Sequence, residues 1–315
     1  MNKQIFTLIA GLCLCGASQA QEFKGPIKIV VPFGAGGATD VVARVLAPGL
    51  AKQLGQTVIV ENKPGASGQL GTAAVKAAPP DGSTFLLALD HSVVVVPLMT
   101  PSAGYDAIRD FVAVGQVARF QWTFAVPVSS PAKSLNEFVE SARKDPSLGN
   151  YGVPLQGGVP DIIGASLSRK GGIQMTAVPF GGSATMMPQL VGGHLAAGVT
   201  GEPEGLQMSK GGKVRILAIS GNKRSTFMPG VSTFEEQGYP GVSVNSFNAF
   251  FAPKALPKPL AEKFNAALRT TLADKDVQQK IQEMSLELAP ADLQESAQEV
   301  GRSYEFWKRA GVVPK

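Results

Sequence analysis

A strand that runs into a glycine turn and directly on into a helix occurs four times in this chain, and no other feature limits its fold as strongly. The first is Val30-Val31-Pro32-Phe33-Gly34-Ala35-Gly36-Gly37-Ala38-Thr39-Asp40, and the second follows the next strand as Glu61-Asn62-Lys63-Pro64-Gly65-Ala66-Ser67-Gly68. The third spans Tyr151 to Asp161 around Gly157-Gly158, and the fourth is Pro179-Phe180-Gly181-Gly182-Ser183. Around the first two, short β-branched runs predict strands at 27–31, 57–61, 83–89 and 112–117 with helices between several of them, which argues a parallel α/β sheet. After Pro127 the pattern restarts. A helix opens on the capping box Ser134-x-x-Glu137, a strand is expected at 150–153, and a helix over 160–170 is closed by Gly171-Gly172. Strands are expected again at 175–180, 197–200 and 214–220.

The tail returns to helix over 257–273, 276–284 and 291–310, with apolar residues at three- and four-residue spacing that need a sheet to cover. Docking them on the first unit makes the chain cross between units twice, near 118–126 and near 245–252. The expected fold class is therefore α/β with two domains, residues 21–121 plus 248–315 and residues 122–247. Two crossings make a hinge, and hinged α/β pairs close on a ligand.

The first twenty residues read as a leader. Lys3 gives a positive start, 5–17 is almost wholly apolar, and Ser18-Gln19-Ala20 places small residues at a cleavage site, so the mature chain is expected to begin at Gln21 in the periplasm. The apolar run falls short of the ~20 residues a spanning helix needs. Both cysteines, Cys13 and Cys15, lie in this leader, so no disulfide or thiol chemistry is expected after its removal. The formal net charge of +5 is spread along the chain and gives no nucleic-acid footprint.

Glycine turns at helix starts suit anions, because the backbone can approach closely and the first amides point outward at the positive end of the dipole. A plain tight turn with Thr39 or Asp40 as cap is the alternative at the first one. A dinucleotide fingerprint needs glycine where Thr39 stands, and no Gly-Lys-Ser/Thr follows, so nucleotide cofactors are not expected. At the second turn, beside Ala66, Ser67 offers either a hydroxyl to a ligand or a helix cap.

A hydrolase finds little support. No Gly-x-Ser-x-Gly elbow occurs, Ser130-Pro131-Ala132-Lys133 sits in an expected loop, and His91 and His194 are too isolated for a zinc site. No catalytic residue, cofactor or metal is expected.

Taken together, several blocks resemble the substrate-binding proteins of tripartite tricarboxylate transporters, the Bug family, over nearly the whole mature length. They are the turn ending at Asp40, Glu61 to Ala66, Ala78-Pro79-Pro80-Asp81-Gly82, Tyr105-Asp106 with Asp110-Phe111, 178–184, Phe251-Ala252-Pro253 and Trp307-Lys308. The resemblance implies a type II, Venus-flytrap periplasmic-binding-protein fold. It also implies a small organic acid in the cleft, transient contact with membrane permease subunits, and a monomer. A receptor that reports to a sensor protein would use the same outer surface and stays open.

Carried over, the resemblance puts Phe33, Ala35, Gly36, Gly37, Ala38, Thr39 and Asp40 on one lip of the cleft, and Gly157, Gly158, Phe180, Gly181 and Ser183 on the other. Two departures bear on selectivity. Relatives often place Gly-Ser…His where Gly157, Gly158 and Asp161 stand, so Asp161 either repels a second ligand carboxylate and favours an amine or hydroxyl, or only complements its own helix. Asp90-His91-Ser92 is also atypical, and it places His91 and Ser92 either at the ligand or in a structural hydrogen bond.

Overall fold

The computed structural model describes residues 22–310. Leader, cleavage site and both cysteines lie outside these residues. Strands β1 (Ile27–Val31), β2 (Val58–Asn62) and β3 (Thr84–Leu89) run parallel, with helices α1 (Ala38–Leu54) and α2 (Gln69–Lys76) between them. After β3 comes a π-helical turn (His91–Val95) leading into the short helix α3 (Val96–Met99). Strand β4 (Phe111–Phe120) then crosses toward the second sheet.

That second sheet contains β5 (Trp122–Pro127), β6 (Asn150–Val153), β7 (Thr176–Pro179), β8 (Ala197–Gly201) and β9 (Val214–Ile219), in the order β7-β6-β8-β5-β9. Helices α4 (Leu135–Lys144), α5 (Val159–Gly171), α6 (Ser183–Val191) and α7 (Glu202–Lys210) cover it. The chain returns through β10 (Ser246–Pro253) to α8 (Lys258–Leu272), α9 (Lys275–Glu283), β11 (Glu287–Leu288) and α10 (Leu293–Arg309). The first sheet is thereby completed in the order β11-β4-β10-β3-β1-β2.

Each sheet with its helices forms a lobe, and the chain passes between lobes twice. On the outward pass only Gln121 separates β4 from β5, and the return lies between Ile219 and Ser246. One strand at each crossing runs against its neighbours: β10 is antiparallel to β3 and β4, and β5 to β8 and β9. The all-parallel sheets expected from the alternation are therefore mixed, because 122–127 and 246–253 are long strands and more than connectors. Two bonds fix the crossings side by side. The Trp122 indole N–H donates to Ser246 Oγ at 2.9 Å, and the Gln121 side-chain amide donates to the Lys223 carbonyl at 2.8 Å.

The tail helices close the first lobe as their spacing predicts. Phe264 on α8 stacks on Phe85 of β3 with centroids 3.9 Å apart, and Trp307 of α10 is fully buried. Gly49 lets α1 approach α8, since any side chain there would overlap Thr271.

Capping differs in detail from the sequence pattern. Ser134 caps α4 by accepting from Glu137 N at 3.2 Å, but the Glu137 carboxylate takes the Lys133 amide in place of the reciprocal bond. The reciprocal pair forms instead at Asp292 and Glu295, at the start of α10. Gly172 adopts φ 65° and ends α5.

Candidate functional site

The first glycine turn is held from behind. Asn62, at the end of β2, donates to the Phe33 carbonyl at 3.1 Å and to Asp40 Oδ1 at 2.9 Å, which ties the first two turns together. Asp40 itself is buried on α1, accepting from the Gly36 amide at 2.9 Å and from Arg44 Nε at 3.0 Å. Burial alone would raise its pKa, but these bonds from Arg44, Gly36 and Asn62 hold the carboxyl below its ordinary value. Asp40 is thus a charged brace that shapes the turn from within, and its carboxylate is committed to protein partners.

Neither Thr39 nor Asp40 caps α1. The N-cap is Gly37, with no side-chain bond, and Thr39 donates its hydroxyl to Asn248 Oδ1 at 3.2 Å. Among the described residues no protein acceptor meets the amides of Ala38, Thr39 and Asp40. These three donors at the positive end of a seventeen-residue helix are what an anion requires.

The turn opens on a cavity of about 990 Å³ between the lobes. Phe33, Ala35, Gly36, Gly37, Ala38 and Thr39 border it from the first lobe, together with Ala66 and Ser67. Ser67 caps nothing. Gly68 is the N-cap of α2, and Ala66 and Ser67 both sit at positive φ, 47° and 54°. Such a backbone costs of order 1–3 kcal/mol per residue and persists only where surroundings impose it. From the second lobe Phe180, Gly181 and Ser183 reach the same cavity. There the amide ends of α6 face inward from its N-cap Gly182, and Ser183 shares a hydrogen bond with Thr200 at 3.2 Å.

Five further residues named from the sequence lie away from the cavity lining. His91 and Ser92 are buried in the π-helical turn, where burial pushes His91 down to about 4 and so keeps it neutral. Ser92 packs on Gly68, while its carbonyl accepts from Tyr105 at 2.6 Å. Gly157 and Gly158 also face protein. A Cβ on Gly157 would overlap Met99 Sδ, and one on Gly158 would stand 2.9 Å from His91 Nδ1. This turn is an inter-lobe contact. Asp161 is exposed in the first turn of α5, where the Gly157 amide meets its carboxylate. Its geometry fits a helix-end role better than contact with a solute.

Other cavity residues carry no pattern of their own in the sequence. Phe120 and Trp122 flank the outward crossing, and Asn248 comes from the return strand β10. Glu204 lies in the first turn of α7, after a fifth strand–glycine–helix junction at Thr200-Gly201-Glu202-Pro203. That junction is a signal the glycine-turn pattern could have included. Among the described residues no group of three or more His, Cys, Asp and Glu is placed to hold a metal ion, and no helix is long and apolar enough to cross a membrane.

The sequence matches the family model for the tripartite tricarboxylate transporter family receptor over residues 42–310. The periplasmic binding protein BugD is 29% identical and superposes with a TM-score of 0.83, covering 93% of this chain and 99% of its own. MatC from Rhodopseudomonas palustris with bound malate gives 28% identity and 0.82, covering 90% and 98%. Rpa4515 from R. palustris with adipate gives 28% and 0.85, covering 92% and 98%. The two mixed sheets and paired crossings are those of a two-domain type II periplasmic-binding-protein fold.

Proposed function

The chain belongs to the tripartite tricarboxylate transporter receptor family, and from that premise we propose that it is a periplasmic solute-binding protein which captures a small carboxylate between its lobes. It hands the solute to membrane permease subunits and leaves it chemically unchanged. In this reading residues 1–20 are a leader removed on export, residues 21–121 with 248–315 form one domain, 122–247 form the other, and the mature chain acts as a monomer. One lip of the site is Phe33 with the 35–39 turn, flanked by Ala66 and Ser67. The facing lip is Phe180, Gly181 and Ser183.

The observation that carries this reading is the set of unpartnered amides of Ala38, Thr39 and Asp40, at the start of a long helix beside an inter-lobe cavity. Micromolar capture requires about 8 kcal/mol. A helix terminus alone offers ~0.3–1 kcal/mol, whereas hydrogen bonds to a charged group contribute roughly 1.5–3 kcal/mol each. Three amides and the Ser67 hydroxyl reach the required range once closure excludes bulk water. That solutes of this kind are held by proteins of this fold is supported by the malate and adipate structures of relatives.

A thermal-shift series with malate, adipate, benzoate and other carboxylates tests the proposal. A true ligand at 100 times its Kd adds about 2.7 kcal/mol of stability, and it is recovered intact after prolonged incubation. A series in which no carboxylate raises the melting point, or in which the bound acid is consumed, sinks the proposal.

A further inference from the structure

Three helices, α1 of the first lobe and α6 and α7 of the second, turn their amino ends toward the cavity, and they differ in what occupies those ends. The starts of α1 and α6 are lined by small residues, Gly37 and Ala38 at one and Gly182 and Ser183 at the other. The start of α7 carries an acid. Glu204 folds its carboxylate back over Gly201, so that a Cβ on Gly201 would stand 2.8 Å from Glu204 Oε2 and 3.5 Å from the Phe120 ring. All three residues border the cavity.

Of the charged residues at this cavity, Lys210, Lys213 and Glu283 are exposed and belong to its rim, whereas Glu204 is only partly accessible. Protein surrounds Glu204 deeply enough that desolvation pushes its carboxyl up to about 7, opposed only by a bond from its own amide. Among the described residues no cation offsets that cost. The Phe120 ring stands at the same junction, and Trp122 and Phe33 also line the cavity. A carboxylate so placed repels a second anionic group on a ligand and gains from a positively charged hydrogen-bond donor, since charge-assisted pairs are the strong ones.

We infer that the preferred ligand is a carboxylate with an apolar body and an ammonium group, its carboxylate at the start of α1 and its ammonium on Glu204. This rests on the solute-binding reading above and narrows it. The volume of about 990 Å³ lies at the upper end for small-molecule sites and leaves room for an aromatic or long aliphatic body. The selecting role that the sequence suggested for Asp161 falls on Glu204, because the cavity is lined by α7 and the first turn of α5 stands outside it.

The test compares isosteric probes on the full mature chain by calorimetry: phenylalanine and para-(aminomethyl)benzoate, against 3-phenylpropionate and para-ethylbenzoate, which lack the nitrogen, and para-(carboxymethyl)benzoate, which replaces it with an acid. The ammonium probe of a matching pair should bind about tenfold or more tightly, the size of one charge-assisted hydrogen bond. Glu204→Gln should erase that preference and improve binding of the dicarboxylate. Equal or weaker binding of both ammonium probes by the wild type overturns the inference without needing the variant. An unchanged preference in Glu204→Gln, with only a lower melting point, also overturns it and leaves Glu204 as a helix-end acid. If none of these acids and no other carboxylate binds, the solute-binding reading fails as well.

Discussion

Two glycine turns in this molecule share one sequence pattern and do opposite things. At 34–37 the turn borders an open cavity, and a Cβ on Gly34 or Gly36 would meet nothing within 4 Å. At 157–158 the turn is pressed against the other lobe, over Met99 and His91. In the first, glycine keeps the cavity wall bare. In the second it lets two lobes approach. Strand, glycine and helix start therefore specify a backbone shape, and the partner of that shape is decided by the rest of the fold.

The buried neighbours of the packed turn give the largest expected effect. Folded His91, pushed down to about 4 by burial from 6.5, stays neutral where the unfolded chain takes up a proton, so its contribution falls as pH drops from about 6.5 to about 4. Folded Asp90, raised by burial from 3.8 to about 7, keeps a proton that the unfolded chain releases, so its contribution rises over nearly the same descent. At 1.36 kcal/mol per pKa unit these amount to about 3 kcal/mol for His91 and about 4 kcal/mol for Asp90, with opposite signs. Urea titrations should thus show Asp90→Asn losing stability on acidification from pH 6.5, and His91→Leu gaining it relative to wild type. Parallel profiles for the two variants would mean the packed turn does not rest on a buried, neutral pair.

At the open turn, Gly36→Val should remove most of the ~2.7 kcal/mol that a saturating carboxylate adds, as read by thermal shift. The ligand-free protein also loses about 1 kcal/mol or more, because φ at Gly36 is 82° and a β-branched residue is strained there. A retained ligand response would move the site away from this turn.

Gly158→Ala should reverse that balance. Its φ of 70° and ψ of −140° suit only glycine, and the added methyl presses on His91. A loss of about 1–3 kcal/mol in the ligand-free state is expected by chemical denaturation, with weaker ligand binding as a consequence of lobes held apart. Unchanged stability would show that the inter-lobe contact yields easily.

The smallest change is Ser67→Ala, which removes one hydroxyl donor and should weaken carboxylate binding by about 0.5–1.5 kcal/mol, up to roughly tenfold in Kd. Calorimetry with the ligand found in the thermal series measures it. Identical affinities would leave the strained 66–67 backbone without a role in binding.

Much of this molecule was legible before its structure. Local pattern placed β1, α1, α5 and the tail helices within a few residues, because hydrophobic periodicity and glycine or proline punctuation act over short distances. It also brought Phe33, Gly36, Ser67 and Phe180 to one cavity, since glycine turns at strand ends of α/β sheets converge at one edge. The antiparallel crossings escaped it, as 122–127 and 246–253 are apolar runs whose direction depends on which strand they meet. The bracing role of the Asp40 carboxylate escaped it for a related reason: nothing local shows that Arg44 and Asn62 claim that group.

The sequence by itself determined the α/β alternation, the turns that favour exposed amides and the resemblance to carboxylate receptors, all of which follow from residues near one another in the chain. Only the tertiary structure decided which glycine turn faces the cavity and which faces protein, that His91 and Ser92 are buried, and that Glu204 borders the cavity. Those outcomes depend on the packing of one lobe against the other, where contacts join positions dozens of residues apart that no local pattern relates.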